Sequence, residues 1–459
     1  MKVIQVACEF APFVKVGGLA DVIPSLLEYL PKIGIETRLL IPAYPKLREI
    51  AQDVTEVQHD LPWLSLEKAK LGDYTTYLFD WKDGRCLPDN PYEMSQETIA
   101  TLCWVAAHLY KIDPSWTPDV VHCHDWQTAL AAAYLAAIDD PCKPRSVLTI
   151  HNLIYQGLYP ADSFKSLGLP DHFWSMNGLE YYGNLSFLKG GIYFADAITT
   201  VSPTYAQEIQ KNGFGMEGLL ETKKESLFGI LNGVDSSLWS PETDPQIEHT
   251  YTAETIKNRK KNKVSLQKEL GLPCDEDAFL WCVVSRVSHE KGIRLILNSL
   301  SRLPGQGILL LNDASADSSI FIPTELPDTV KIYRGLNERL ARRLFSSAVL
   351  FLMPSYSEPC GLTQLYAMKY GAVPLVRPVG GLKDTIVPCS FLSDSPQEDI
   401  GLGNGFYLWD DHYFVDVVWS AFHLWQDSPK KWNAIQKNGM MADYSWEEAA
   451  LKYQHVYQL

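Results

Sequence analysis

At 459 residues the chain is too long for one ordinary hydrophobic core, so two or three domains are expected. It carries 40 Lys and Arg against 55 Asp and Glu. A net charge of −15 argues against nucleic acid or anionic membrane as a main partner, and any anionic substrate then needs a local basic pocket. No run of eighteen apolar residues is available to span a bilayer. The nine cysteines are an odd number with no C-x-x-C pair, so they read as reduced thiols of a cytoplasmic protein. The start, MKVIQVACEFAP, has Glu9 within its apolar run and is too short for a signal peptide.

Lys2–Ala7 is a predicted strand. The loop EFAPFVKVGGLAD follows, with Gly17-Gly18 at its bend and Lys15 its one cation, and Leu19–Leu30 reads as a helix. The loop matches neither G-x-x-x-x-G-K nor G-x-G-x-x-G. Lys15 is either a surface lysine beside a helix start or a cation held over a phosphate or sugar. Residues 35–41 form a second strand, and 51–90 read as short antiparallel strands at one edge. Ser95–Tyr110 is a helix. Asp119–Cys123 is a strand that runs straight into His124-Asp125-Trp126, with Thr128–Ile138 a buried alanine-rich helix. His122 and His124 share a strand face, but no third ligand has matching spacing, which favours a metal-free reading. Asp125 and Trp126 suit a sugar, carboxylate to hydroxyl and indole to ring; the plain alternative is a helix N-cap beside a core Trp. Ser146–Ile150 is a strand ending at His151-Asn152, and Phe194–Val201 another. Gly229–Leu231 leads to Asn232-Gly233. The aperiodic stretch Trp239–Pro245 suggests a domain boundary.

The pattern then restarts. Asn258–Gly271 is a helix and Phe279–Ser285 a strand whose end carries Arg286, with Lys291 soon after. Two cations there suit a diphosphate, although Glu290 is at hand to pair with them. Gly307–Leu311 and Val330–Tyr333 are strands and Glu338–Ser346 a helix. Val349–Met353 is a buried strand, and Ser357-Glu358-Pro359-Cys360-Gly361 turns the chain into a helix reaching Tyr370. Ala372–Val376 is the next strand, and Gly380-Gly381 opens a loop. A carboxylate and a glycine pair thus follow consecutive strands, at the edge where open α/β sheets bind ligands. Glu358 before a helix start could N-cap it, or stand beside an anion held there. Residues 413–459 are helical; Trp419, Trp425, Trp432 and Trp446 read as core.

The segments FVKVGGLADV, VVHCHDWQTAL, TIHNLIYQG, GILNGVDSSLWSPETD, VSRVSHEKG, PSYSEPCGLTQLYAMKYGAVPLVR and GGLKDT together resemble those of bacterial glycogen synthases and plant starch synthases. The resemblance covers nearly the whole chain. It implies an α/β protein of GT-B architecture, with two Rossmann-like doubly wound domains facing each other across a deep cleft. The corresponding bounds are 1–242, 243–438 and a C-terminal helix, 439–459, packing back on the first domain. The implied reaction is transfer of glucose, with retention, from ADP-glucose to the non-reducing 4-OH of an α-1,4-glucan such as glycogen. UDP-glucose is the alternative donor, and an inactive glucan-binding homologue the alternative role.

By the same resemblance, Lys15, Gly17 and Gly18 belong to the K-x-G-G-L signature near the donor. Glu9 and Asp125 are acidic residues on the sugar side. His151, Asn152 and Asn232 face the glucose. Arg286 and Lys291 neutralise the diphosphate. Glu358, followed by Cys360 and Gly361, is the C-terminal carboxylate, and Gly380-Gly381 the second glycine signature. The nucleotide sugar is a substrate, and neither cofactor nor metal is expected. Three departures concern the donor side: Arg377 is followed by Pro378-Val379, Asn312-Asp313-Ala314-Ser315 replaces a glycine-containing loop, and Gly335-Leu336-Asn337 lacks an aromatic associated with the base pocket.

Overall fold

A computed structural model of the protein describes residues 1–85, 87–312, 317–389 and 402–459. Residues 313–315 of the substituted loop therefore lie outside the described residues. The chain divides into two compact units, Met1–Gly233 completed by Trp446–Leu459, and Val234–Ser445.

The first unit is built on a nine-stranded sheet. Its strands are β1 Lys2–Val6, β2 Glu36–Pro42, β3 Gln52–Glu56, β4 Leu64–Leu71, β5 Tyr74–Trp81, β6 Val120–His124 and β7 Arg145–Ile150, with β11 Ala197–Thr200 and β12 Leu227–Gly229. Strands β8 Leu158–Pro160, β9 Glu180–Tyr181 and β10 Asn184–Ser186 form a small antiparallel sheet of their own. The large sheet runs β12-β11-β7-β6-β1-β2-β5-β4-β3. It is parallel as far as β5, and then β4 and β3 add antiparallel at the edge, where the sequence placed such strands.

Side chains alternate between the faces of a strand. Val3, Val120, Val147 and Ala197 face one core with Trp446, Ala450, Tyr453 and Tyr457 of the C-terminal helix Trp446–Gln458. Ile4, Val121, Leu148 and Ile198 face the larger core on the other side. The same parity puts Gln5, His122, His124, Thr149 and Thr199 on the face that the C-terminal helix covers, in register across four strands.

The second unit has a six-stranded, wholly parallel sheet. Its strands are β13 Leu280–Arg286, β14 Gln306–Asn312, β15 Val330–Arg334, β16 Leu350–Met353, β17 Val373–Val376 and β18 Phe406–Tyr407, in the order β15-β14-β13-β16-β17-β18. Apolar cores lie on both of its faces, as a parallel sheet requires.

Several details differ from the sequence reading. Phe194 closes a helix, Phe187–Phe194, that precedes β11. Trp239–Pro245 lies inside the second unit, where the Trp239 ring stacks on Tyr366 at 3.8 Å. Gly380 and Gly381 begin a short helix, Gly380–Thr385, rather than a loop. Trp432 and Trp446 are buried, but Trp419 is 38% exposed and its indole N–H donates to the Arg302 carbonyl at 3.0 Å. No helix among the described residues is long and apolar enough to cross a membrane.

Candidate active site

In the first unit, candidate residues gather where β1, β6 and β7 end. Glu9 is buried, and its Oε2 accepts from the backbone N–H groups of Val16 (2.7 Å) and Gly17 (2.9 Å). Burial pushes the carboxyl above its ordinary value, against the pull of those two donors. The loop 9–18 is therefore folded around a carboxylate. Lys15, at the turn, pairs with Asp21 at 2.7 Å and stays partly exposed. A Cβ added at Gly17 would meet nothing within 4 Å.

Asp125 occupies the N-cap position of the helix Trp126–Ala137, yet its side chain makes no cap hydrogen bond. Instead Oδ1 accepts from the backbone N–H of His151 (2.7 Å) and of Asn152 (3.3 Å), at the end of the neighbouring β7. The backbone takes φ 60° to aim it there, a conformation unfavourable for a residue with a Cβ. Burial lifts the Asp125 carboxyl to about 7, the two backbone donors pull it down, and Glu9 adds to the rise. The N-capping alternative thus fails. Trp126 is half-buried and packs near Tyr92 and Tyr159.

The Asn152 Oδ1 accepts from Ile154 N–H at 3.2 Å, while Asn232 is buried with its Oδ1 lacking a hydrogen-bond partner among the described residues. Such an orphaned acceptor is costly unless something donates to it. All four ring nitrogens of His122 and His124 are in hydrogen bonds, to Tyr457, Thr149, His151 and Gln5.

In the second unit, Arg286 closes β13 and its guanidinium pairs with Glu290 at 3.0 Å. Lys291 Nζ donates to Glu358 Oε2 at 2.7 Å, and the Ser355 hydroxyl donates to the same oxygen at 3.2 Å. Both members of the Lys291–Glu358 pair are largely buried, so the pair is little screened by solvent. Glu358 does not cap the following helix, which starts only at Thr363 behind Leu362.

The second glycine pair locks this loop. Gly381 N–H reaches the carbonyls of Glu358 and Pro359, each at 3.1 Å. A Cβ on Gly380 would stand 2.0 Å from the Glu358 carbonyl oxygen, and one on Gly381 2.0 Å from that of Cys360. Gln364 completes the clamp by donating to the Cys360 and Gly361 carbonyls and to the Thr385 hydroxyl (3.1, 2.9 and 3.3 Å). Arg377, which precedes the departing Pro378-Val379, is tied to Asp411 and to the Pro354 carbonyl, with its guanidinium over the Tyr356 ring. Ser355 and Gln364 were not singled out from the sequence, since a serine or glutamine near a turn carries no distinctive spacing.

The chain matches the starch synthase catalytic domain over residues 2–222 and glycosyl transferases group 1 over residues 271–400. It is 40% identical to a glycogen synthase of Serratia proteamaculans over an alignment of 484 residues, covering 100% of this chain and 99% of that one. Its fold superposes with a TM-score of 0.87 on the catalytic domain of starch synthase IV from Arabidopsis thaliana, a structure bound to ADP and acarbose, at 27% identity over 99% of this chain and 98% of that one. Sucrose-phosphate synthase from Thermosynechococcus elongatus shares the fold, with a TM-score of 0.60 and 18% identity over 100% and 98% of the two chains. This chain is a glycosyltransferase of GT-B fold and belongs to the glycogen synthase and starch synthase family.

Proposed function

We propose that the enzyme moves glucose, with retention, from ADP-glucose to the non-reducing 4-OH end of an α-1,4-glucan. The observation that carries this reading is the edge of the second sheet. There Arg286 and Lys291 stand within one short segment, each on a carboxylate partner, and a glycine pair locks the Glu358 loop. The departing diphosphate gains negative charge as the glycosidic bond breaks, and two fixed cations lower that barrier electrostatically. With that charge met by side chains, the reaction requires no metal. Glu358, anchored by Lys291 and Ser355, takes the sugar-side position of the C-terminal carboxylate.

In the first unit, Asp125, His151, Asn152, Asn232 and Glu9 serve the glucosyl group, whose anomeric carbon becomes oxocarbenium-like. Buried carboxylates favour such a cation. The leaving phosphate accepts the proton of the attacking 4-OH on the same face. Lys15, Gly17 and Gly18 lie along the donor. The adenine base is supported by the ADP bound to the starch synthase IV catalytic domain. Leu336, 73% exposed where an aromatic was expected, keeps a uridine donor as the second arm of the test.

That test incubates radiolabelled ADP-glucose and, separately, UDP-glucose with glycogen and counts label in the precipitated glucan. Incorporation from ADP-glucose is expected. Incorporation from UDP-glucose alone would reassign the donor, and none from either would defeat the synthase reading.

A further inference from the structure

A polar row runs beneath the C-terminal helix of the first unit, on a face that otherwise buries Val3, Val120 and Val147. Gln5 sits at its centre. Its Nε2 donates to the Tyr457 hydroxyl at 3.4 Å, and its Oε1 lies 2.9 Å from His124 Nε2. His124 Nδ1 lies 3.0 Å from His151 Nε2, and His122 bridges Tyr457 (2.8 Å) to the Thr149 hydroxyl (2.6 Å). Gln5, His122 and His124 are fully buried.

Burial pushes the rings of His122 and His151 down to about 3 and that of His124 down as well, so each carries one ring proton at neutral pH. With one proton per ring, the direction of every bond follows from the amide. Gln5 Oε1 can only accept, so His124 is protonated on Nε2. Its bare Nδ1 then accepts from His151 Nε2–H, which leaves His151 Nδ1 as the acceptor of that ring. Tyr457, taking a hydrogen from Gln5, turns its own toward His122. Rotating the amide by half a turn would reverse the whole series and place a proton on His151 Nδ1.

We infer that Gln5, held by Tyr457 of the C-terminal helix, is a positioning residue that acts through His124 to fix the tautomer of His151, so that this ring offers Nδ1 as an acceptor to a sugar hydroxyl. The inference rests on the proposed role of His151 beside the glucosyl group. The function of the last helix then includes setting a proton at the sugar end of the site, in addition to covering the sheet.

The test is nitrogen-15 NMR of the histidine rings of the full-length protein, with the His151 signals assigned by His151→Gln. The wild type is expected to carry its His151 proton on Nε2. Gln5→Leu removes the acceptor that orients His124, so both His151 tautomers appear and turnover falls about tenfold. Tyr457→Phe frees the amide to rotate and moves tautomer and turnover the same way, to a smaller extent; it decides the matter if Gln5→Leu does not fold. A wild-type His151 protonated on Nδ1, or an unchanged tautomer in the folded variants, overturns the inference. His151→Ala with wild-type turnover would instead refute the sugar-side role of His151, leaving the tautomer readout to judge the relay by itself.

Discussion

The two sheets end in sites that hold charge by opposite means. In the first unit, Glu9 and Asp125 are buried carboxylates whose hydrogen bonds come from backbone N–H groups. In the second, Arg286 and Lys291 are cations each resting on a carboxylate. Backbone dipoles only partly repay the dehydration of a carboxylate, which is why Asp125 is lifted to about 7. A positive centre arriving beside it recovers that cost. The paired cations are held in place by their carboxylate partners. On the proposed reading, one edge serves a sugar becoming cationic and the other a leaving group becoming anionic.

The glycine pairs differ in the same spirit. Gly17 has open space where a Cβ would go, whereas Gly380 and Gly381 are pressed against the carbonyls of Glu358 and Cys360. Gly17 leaves room, and the second pair fastens a loop.

The largest effect that would sharpen this contrast is in the second unit. Lys291→Ala is expected to lower kcat by roughly 100- to 1,000-fold, since a fixed cation facing the leaving group is lost. Near-normal turnover in a folded variant would refute its role. In the first unit, Asp125→Asn should cost roughly 100-fold by removing the carboxylate that answers the cationic sugar.

Asp125 also sets a pH dependence. Because the ionised form is the useful one, kcat/KM should rise as pH passes upward through about 7, and Asp125→Asn should abolish that limb. Its effect on stability has the opposite sign. The unfolded carboxyl ionises near about 3.9. From there to about 7 the folded protein holds a proton that the unfolded chain has released, so this contribution is full below the window and is lost as pH rises through it. A rate profile flat through pH 7 would contradict the assignment.

Smaller effects separate the glycines. Gly381→Ala should destabilise by about 2 kcal/mol through overpacking, with turnover falling as Glu358 shifts. Gly17→Ala should leave the melting temperature nearly unchanged and act on the KM for donor. Equal losses of stability would erase the distinction between Gly17 and Gly381. The smallest effect is that of chelation: EDTA is expected to leave turnover unchanged, and its loss on chelation would show that the two cations do not suffice.

Much of this was legible in the sequence because the fold repeats a local rule. Apolar strand, polar turn and helix recur from Lys2–Val6 onward, and Glu358, Arg286 and Asp125 stand out because each lies at a strand end or shortly after one. What stayed hidden depends on partners far apart in the chain. Lys291 and Glu358 are 67 residues apart, and Gln5 and Tyr457 are 452 apart, so no local spacing could join them. The parity of Gln5, His122, His124 and Thr149 was visible in their strands, but only with the register known does it become a row. Gly380-Gly381 read as a loop because glycine disfavours helix; packing against the Glu358 and Cys360 carbonyls overrides that preference.

The most direct test of the central claim is a crystal structure with ADP-glucose bound. The account predicts diphosphate oxygens within about 3.2 Å of both the Arg286 guanidinium and the Lys291 ammonium. A diphosphate seated away from these two cations would contradict it.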